Sequence, residues 1–155
     1  MRKQSVMALT ILSIIVTVAV KSANAQSSSH FMKVTIPFEF AVRDKTLPPG
    51  EYIVRRTSSD KPEMLLISSV NPGSDVYILT KNVRAKTRQS ESKLVFRYYG
   101  DQYFLSQIWE AEDNLGRELS KSRRERTYER EMAKVRRKHQ LVTVTAHQRR
   151  PLELK

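Results

Sequence analysis

Apolar and polar residues alternate along the first regular stretch of this chain. Every second residue from Val34 to Val42 is apolar, so these side chains share one face of an extended strand. Pro37 falls on the other face and cannot donate a ladder hydrogen bond. This favours an edge strand, or a strand with Pro37 on its unpaired side. The alternation predicts a β-strand over residues 34–42.

Turn residues separate the apolar runs that follow. Pro49 is followed by Gly50 and Pro72 by Gly73, and both pairs are typical of type II turns, in which the glycine takes a positive φ. The runs between the turns predict strands over residues 52–57, 64–70 and 76–83, and then a polar loop over residues 86–92.

Residues 94–109 carry the clearest local pattern, that of a β-hairpin. Gly100-Asp101 lies between two aromatic runs and fits a two-residue type II′ turn, which requires glycine at its first central position. Three opposing pairs follow from this turn: Tyr98 with Tyr103, Phe96 with Leu105 and Leu94 with Gln107. The alternation predicts that these apolar side chains and Trp109 share a buried face.

The second face of the predicted hairpin is mixed. Its polar members are Lys93, Arg97, Gln102 and Ser106. Phe104 and Ile108 fall on the same face, so we expect another part of the chain to cover it.

A charged segment after Gly116 predicts one helix. Residues 117–139 contain neither Gly nor Pro, and Ser122-Arg123-Arg124-Glu125 fits a capping box at the helix start. Residues that could form a stripe recur every three or four positions: Tyr128, Met132, Val135, His139 and Val142. We expect this stripe to pack on the sheet.

Together these elements predict a mainly β protein. Six short strands suit a small antiparallel sandwich or a partly open barrel, followed by one basic C-terminal helix. The predicted segments are a β-domain over residues 26–116, the basic helix over 117–140, and a candidate seventh strand with a frayed tail over 141–155.

The segment before the β-domain has the features of a secretory signal peptide. Arg2 and Lys3 precede an apolar stretch, and Ala23-Asn24-Ala25 supplies small residues before a cleavage point at Gln26. The apolar stretch stops at Lys21, short of the roughly 20 residues that a membrane span needs. We therefore expect residues 1–25 to be removed and the protein to be exported, to the bacterial periplasm or beyond the cell.

Several strings resemble a group of small exported bacterial proteins of unknown function. They are Ile36-Pro37-Phe38-Glu39-Phe40, Leu47-Pro48-Pro49-Gly50-Glu51-Tyr52, Phe104-Leu105-Ser106-Gln107-Ile108-Trp109 and the segment from Gly116 to Arg126. The resemblance covers most of residues 34–126. It implies an exported, β-rich protein and brings no activity, cofactor or catalytic residue with it.

Candidate catalytic chemistry is sparse. The chain has no cysteine, which excludes a thiolate nucleophile, a Cys-ligated metal and a disulfide. His30, His139 and His147 lie outside any nucleophile motif, and no metal-binding motif or phosphate-binding glycine loop is present, so no cofactor is expected. A hydrolase would need a pair of carboxylates that converge in the fold, with Glu39, Glu51, Asp101 and Glu110 as candidates.

Positive charge is the strongest surface signal. The formal net charge is +12, and residues 121–155 hold twelve Lys and Arg against four Glu. Arg126, Arg130, Lys134 and Lys138 follow one another at intervals of four, which stacks them along one ridge of a helix. The candidate anion-binding residues are Arg123, Arg126, Arg130, Lys134, Arg137 and Lys138.

Such a ridge suits an anionic partner: lipid headgroups, an acidic polysaccharide or an acidic protein. Tyr128 is the only aromatic residue near it, which gives no specific signal for nucleic acid. A solvated face that only aids solubility is the simpler alternative. The sequence thus predicts an exported, non-enzymatic binding or envelope-associated module. A small extracytoplasmic hydrolase is the alternative.

Overall fold

A computed structural model describes residues 31–58, 60–71, 73 and 75–148. Within them the chain forms eleven strands and one helix, which confirms the mainly β prediction. The predicted number of six strands is wrong, because several predicted strands divide and short strands form between them. The elements in chain order are β1 (Phe31–Ile36), β2 (Phe40–Val42), β3 (Lys45–Leu47), β4 (Gly50–Arg56), β5 (Met64–Ser69), β6 (Val76–Leu79), β7 (Lys81–Arg84), β8 (Ser92–Tyr98), β9 (Tyr103–Trp109), β10 (Leu115–Glu118), α1 (Arg123–Lys134) and β11 (Gln140–Gln148).

The strands form one strongly curled sheet. Its hydrogen-bonded order is β3-β2-β9-β8-β11-β1-β4-β5-β6, and β10 pairs with both β7 and β9. Only Thr80 separates β6 from β7. Because β6 pairs with β5 and β7 pairs with β10, this stretch connects the two halves of the sheet. The sheet is therefore nearly closed and barrel-shaped rather than a sandwich, and only the β2–β9 pair is parallel.

Alternate residues of the strands fill the interior of the curled sheet. Tyr52, Phe40 and Phe96 are among the largest side chains buried there, and the Phe40 ring lies edge-on to the rings of both others. The Tyr52 hydroxyl donates a 2.6 Å hydrogen bond to the carbonyl oxygen of Pro48. Burial raises the pKa of Tyr52, because the phenolate would lose its hydration.

The predicted strand over residues 34–42 is divided in two. β1 ends at Ile36, and Pro37 lies just beyond the last paired residue. The apolar face was read correctly, since Val34, Ile36, Phe40 and Val42 are all buried in the core. Of the two alternatives for Pro37, the edge strand is wrong, because β1 lies between β4 and β11, and Pro37 instead lies unpaired just past the end of β1.

Other differences arise from short elements. The predicted strand over residues 76–83 breaks at Thr80, and the three-residue β3 and four-residue β10 were not predicted. Gly73 has the positive φ expected of it, at 115°. Gly50 does not adopt a positive φ, because it is the first residue of β4 and pairs with Ile36.

The predicted hairpin forms, with one change in register. Tyr98 opposes Tyr103, Phe96 opposes Leu105, and Gly100 has a φ of 96°, as the turn requires. The prediction for Leu94 is wrong, because Leu94 opposes Ile108 instead of Gln107. The cause is a β-bulge that leaves Ser106 without an opposing residue and shifts the alternation of β9.

The bulge exchanges the faces of the last two residues of β9. Ile108 joins the interior core, where Trp109 was expected. Trp109 packs instead over Gly116 in β10. The backbone oxygen of Ser106 accepts a 2.8 Å hydrogen bond from the Leu119 N–H, so the bulge also anchors the chain that leads to α1.

The helix is shorter than the predicted range of residues 117–140. It begins after the N-cap Ser122, whose hydroxyl accepts a 3.1 Å hydrogen bond from the Glu125 N–H, as the capping box predicts. It ends at Lys134, and Arg136 then takes a left-handed φ of 55°. The Arg137 N–H bonds back to the Met132 carbonyl, which closes the last turn.

The candidate seventh strand is present as β11. It pairs with β8 over seven residue pairs and with β1 at its far end. The predicted signal peptide (residues 1–25) and the predicted frayed tail from Arg149 lie outside the described residues, as does His30.

Candidate anion-binding surface

Helix α1 packs on the outer surface of the sheet. Tyr128 and Met132 lie against a small apolar cluster of Ala41, Tyr99 and Phe104. The Phe104 ring is 5.5 Å from the Tyr128 ring and 5.6 Å from the Tyr99 ring. These contacts explain why an apolar Phe104 occurs on the mixed face of the hairpin, and they confirm that the first part of the predicted stripe packs on the sheet.

A buried ion pair fixes the beginning of α1. The Glu125 carboxylate is 3 % exposed and accepts a 2.8 Å hydrogen bond from the guanidinium of Arg97 on β8. The Tyr99 hydroxyl donates to the same carboxylate oxygen at 3.1 Å. Burial, and then the neighbouring negative charge of Glu125, raise the pKa of Tyr99. Helix and sheet are thus joined by charge as well as by apolar contact.

Sequence reasoning missed this pair. The capping box assigned the Glu125 carboxylate to the Ser122 N–H, and the alternation placed Arg97 on a polar face. The usable signal was a Glu in the first turn of an amphipathic helix together with an Arg between the apolar residues of β8. That pattern identifies two residues that could form an ion pair, but it does not show that they are in contact.

Two more polar contacts hold the same side of the helix. Arg124 donates to the Thr46 hydroxyl at 2.7 Å and to the Gln102 side-chain oxygen at 2.8 Å. Lys121 forms an ion pair with Glu129, and this hydrogen bond lowers the pKa of the Glu129 carboxyl. These charged groups are therefore engaged within the protein.

The opposite side of α1 carries the basic face, which we define as Arg123, Arg126, Arg130 and Lys134. All four side chains are exposed, at spacings of three, four and four residues along the helix. The exposed Glu131 lies among them and pairs with Lys134 at 2.7 Å. Because the contacts of the opposite side fix the rotation of α1, these four predicted anion-binding residues are brought together on one solvent-facing surface.

The other two predicted residues lie beyond the helix. Arg137 and Lys138 belong to the connector, residues 135–139, between α1 and β11. The predicted i, i+4 ridge therefore ends at Lys134, and the inclusion of Lys138 in a helical ridge is wrong. Both side chains are nevertheless exposed and extend the positive surface past the end of α1.

A shallow cleft of about 510 Å³ lies where the connector meets the last turn of α1 and the start of β11. We call it the end cleft. Its lining includes Tyr99, Met132, Arg137, Lys138, His139 and Leu141, together with Glu129, whose carboxylate is paired with Lys121. The rings of His139 and Tyr99 are 5.5 Å apart. The end cleft thus combines cationic side chains with an apolar floor, which suits an anionic group attached to an apolar body.

Two of the candidate catalytic carboxylates, Glu51 and Glu110, lie far apart. Glu51 pairs with Lys33 at 2.8 Å near the start of β4, whereas Glu110 pairs with Arg56 at its end. Five residues of strand, about 16 Å, separate the two places. Glu39, in the link between β1 and β2, and Asp101, in the hairpin turn, lie nearer each other, because Phe40 pairs with Tyr103, and both side chains are exposed.

Among the described residues, no three His, Cys, Asp or Glu side chains are grouped so that they could hold a metal ion. No helix in that part is long and apolar enough to cross a membrane.

Comparison with known proteins identifies no relative. No protein-family model matches this sequence, and no curated protein or solved structure matches it significantly. The resemblance to small exported bacterial proteins therefore stays a prediction.

Proposed function

We propose that this protein is an exported binding module that contacts an anionic partner of the cell envelope through the basic face of α1. One observation carries the proposal. The side of α1 that packs on the sheet holds its charged residues in internal contacts, whereas the basic face is exposed over the whole length of the helix.

The energetics of the basic face support a partner. Arg126, Arg130 and Lys134 are successive like charges at i, i+4, and each such neighbour costs about 0.2–0.5 kcal/mol in an isolated helix. Glu131 is the one acidic residue of α1 on that exposed side, and its pairing with Lys134 offsets only part of this repulsion. A polyanion along the face would relieve the repulsion and release its own counterions.

A non-enzymatic role fits the placement of the acidic groups better than the hydrolase alternative does. A hydrolase with two carboxylates needs both at one site, within about 10 Å of each other. Glu51 and Glu110 are engaged in ion pairs at opposite ends of β4. Glu39 and Asp101 lie nearer each other, but both are exposed on the surface.

The proposal is tested by charge reversal with a matched control. The test variant is Arg130→Glu with Lys134→Glu, and the control is Lys86→Glu with Arg88→Glu, two exposed cations of the loop after β7. Both variants change the net charge equally. We expect the test variant to elute from heparin, and to leave anionic vesicles, at lower salt than wild type, with a salt dependence reduced by roughly two contacts.

The control variant should shift much less, and both variants should melt as cooperatively as wild type. If the two variants shift equally, only net charge matters and the basic face is not a binding surface. If neither variant shifts, the face is a solvated surface and the proposal fails.

A further inference from the structure

Two exposed apolar side chains lie at the ends of the cationic segment after α1. Val135, the C-cap residue, is 63 % exposed, and Leu141, near the start of β11, is 66 % exposed. We call these two residues the apolar tip. Between them the chain carries Arg136, Arg137 and Lys138 in succession. Exposed apolar residues also occur at Val70, Tyr77 and Leu79, but those positions have no run of three cations beside them in the sequence.

The backbone holds the connector against the end of the helix. The Val135 and Arg137 N–H groups both bond to the Met132 carbonyl, at 3.2 and 3.0 Å. Leu141 borders the end cleft together with Arg137 and Lys138. Leu141 and the connector cations therefore border one cleft, and Val135 begins the connector next to Lys134, the last residue of α1. We call this end of α1, with the connector and Leu141, the corner.

We infer that the partner of this corner is the surface of an anionic phospholipid bilayer, which the apolar tip enters while the surrounding cations bind lipid phosphates. The inference rests on the proposed function and names its partner. At a bilayer surface, apolar side chains gain by leaving water just below the headgroups, whereas Arg and Lys stay among the phosphates. Each cation near an anionic leaflet adds further attraction.

The same corner fits an acidic polysaccharide less well. A sugar polymer would engage the cations but would leave Val135 and Leu141 in water. Binding to heparin should therefore depend on charge alone, and binding to a bilayer should depend on charge and the apolar tip together. This difference allows the two partners to be separated by experiment.

The chain provides a matched pair for that experiment. The test variant is Val135→Ser with Leu141→Ser, and the control is Val70→Ser with Leu79→Ser. Val70 and Leu79 are also exposed, at 47 % and 57 %, but they lie at β5 and β6, on a different part of the sheet. Each variant is compared with wild type for sedimentation with vesicles of phosphatidylglycerol and phosphatidylcholine, and for retention on heparin.

We expect the test variant to lose about tenfold in vesicle partitioning while keeping wild-type retention on heparin. The control variant should keep both. If the test variant sediments with vesicles as wild type does, the inference fails. If wild type binds heparin but no vesicles, the partner is a polysaccharide or a protein, and the inference again fails. In both cases the charge-reversal variants still test the proposed function separately.

Insertion can also be read directly, because the chain has no cysteine. A Leu141→Cys variant labelled with an environment-sensitive dye should shift to shorter emission wavelengths on addition of the anionic vesicles. A Leu79→Cys variant, labelled in the same way, should not shift. Equal spectra for both variants with and without vesicles would contradict insertion of the apolar tip.

Discussion

Glu125 is a charged group that folding removes from water. Its carboxylate keeps two donors, the Arg97 guanidinium and the Tyr99 hydroxyl, in place of its hydration shell. A buried ion pair adds little net stability over an apolar pair of the same size, but loss of one partner leaves the other charge buried and unpaired.

We expect Glu125→Gln to lower the free energy of unfolding by about 1–3 kcal/mol, measured by urea denaturation, because Arg97 then keeps only the more exposed Glu118, 3.6 Å away. Glu131→Gln is the control, because it removes an exposed pair with Lys134 and should cost less than about 1 kcal/mol. Replacement of both buried partners, Arg97→Met with Glu125→Leu, should recover much of the loss. Equal effects of the two single variants would show that Glu125 is not buried as described.

Glycine is required at position 116 by the close packing of the Trp109 ring and not by the backbone conformation. A Cβ at this position would lie 2.5 Å from Cε3 of Trp109, which is closer than atoms can approach. Gly50 offers a contrast, because its added Cβ would meet nothing closer than a 3.8 Å contact with Tyr52.

We expect Gly116→Ala to destabilise the protein by about 1–3 kcal/mol and to change the emission of Trp109, the only tryptophan. Gly50→Ala should be nearly neutral. Trp109 fluorescence during thermal melts measures both effects. An unchanged spectrum in the Gly116 variant would argue against the packing of Trp109 on β10.

At the scale of elements, the hairpin β8–β9 contributes four side chains to the interior core: Leu94, Phe96, Leu105 and Ile108. Phe96 is fully buried, with its ring 5.2 Å from that of Phe38 and 5.5 Å from that of Phe40. Phe96→Ala should cost about 3–5 kcal/mol in chemical denaturation, whereas Tyr77→Ala, at a 65 % exposed position, should cost well under that. A loss below about 1 kcal/mol for Phe96 would mean that the register is wrong.

Sequence patterns predicted the elements that are determined by residues close together in the chain. The turn at Gly100 and the N-cap at Ser122 depend on neighbours in the chain, and both are present. The Ser106 bulge was missed because an extra residue in a strand leaves the composition unchanged and appears only against its partner strand. The end of α1 was missed because Arg136 adopts a left-handed conformation that is usually signalled by glycine.

The candidate site was likewise predictable from the sequence only in part. Helical spacing was sufficient to group Arg123, Arg126, Arg130 and Lys134, because residues three and four apart share a face. The positions of Arg137, Lys138 and the apolar tip could not be read from spacing, since they depend on how the connector folds back on α1. The part of the site that involves β11 required the tertiary structure.

At the scale of the whole molecule, the proposed role requires export. We expect the exported protein to begin at Gln26, because Ala23-Asn24-Ala25 fits the signal peptidase pocket. The intact mass of protein recovered from the periplasm or medium measures this, and the same chain with Ala25→Leu should be processed poorly. Recovery of a stable full-length chain from the membrane fraction would contradict the prediction.

The pairing of β1 with β11 sets the order in which the chain can fold. Lys33 and His147 are partners although nearly the whole described chain separates them, so loop entropy delays their contact until most other strands exist. Until β11 is synthesised, β8 has no partner on the edge away from β9, and β1 has none on the edge away from β4. Both open edges can pair with other chains. A chain cut short before residue 140 would keep both edges open, and it would aggregate where the longer chain folds.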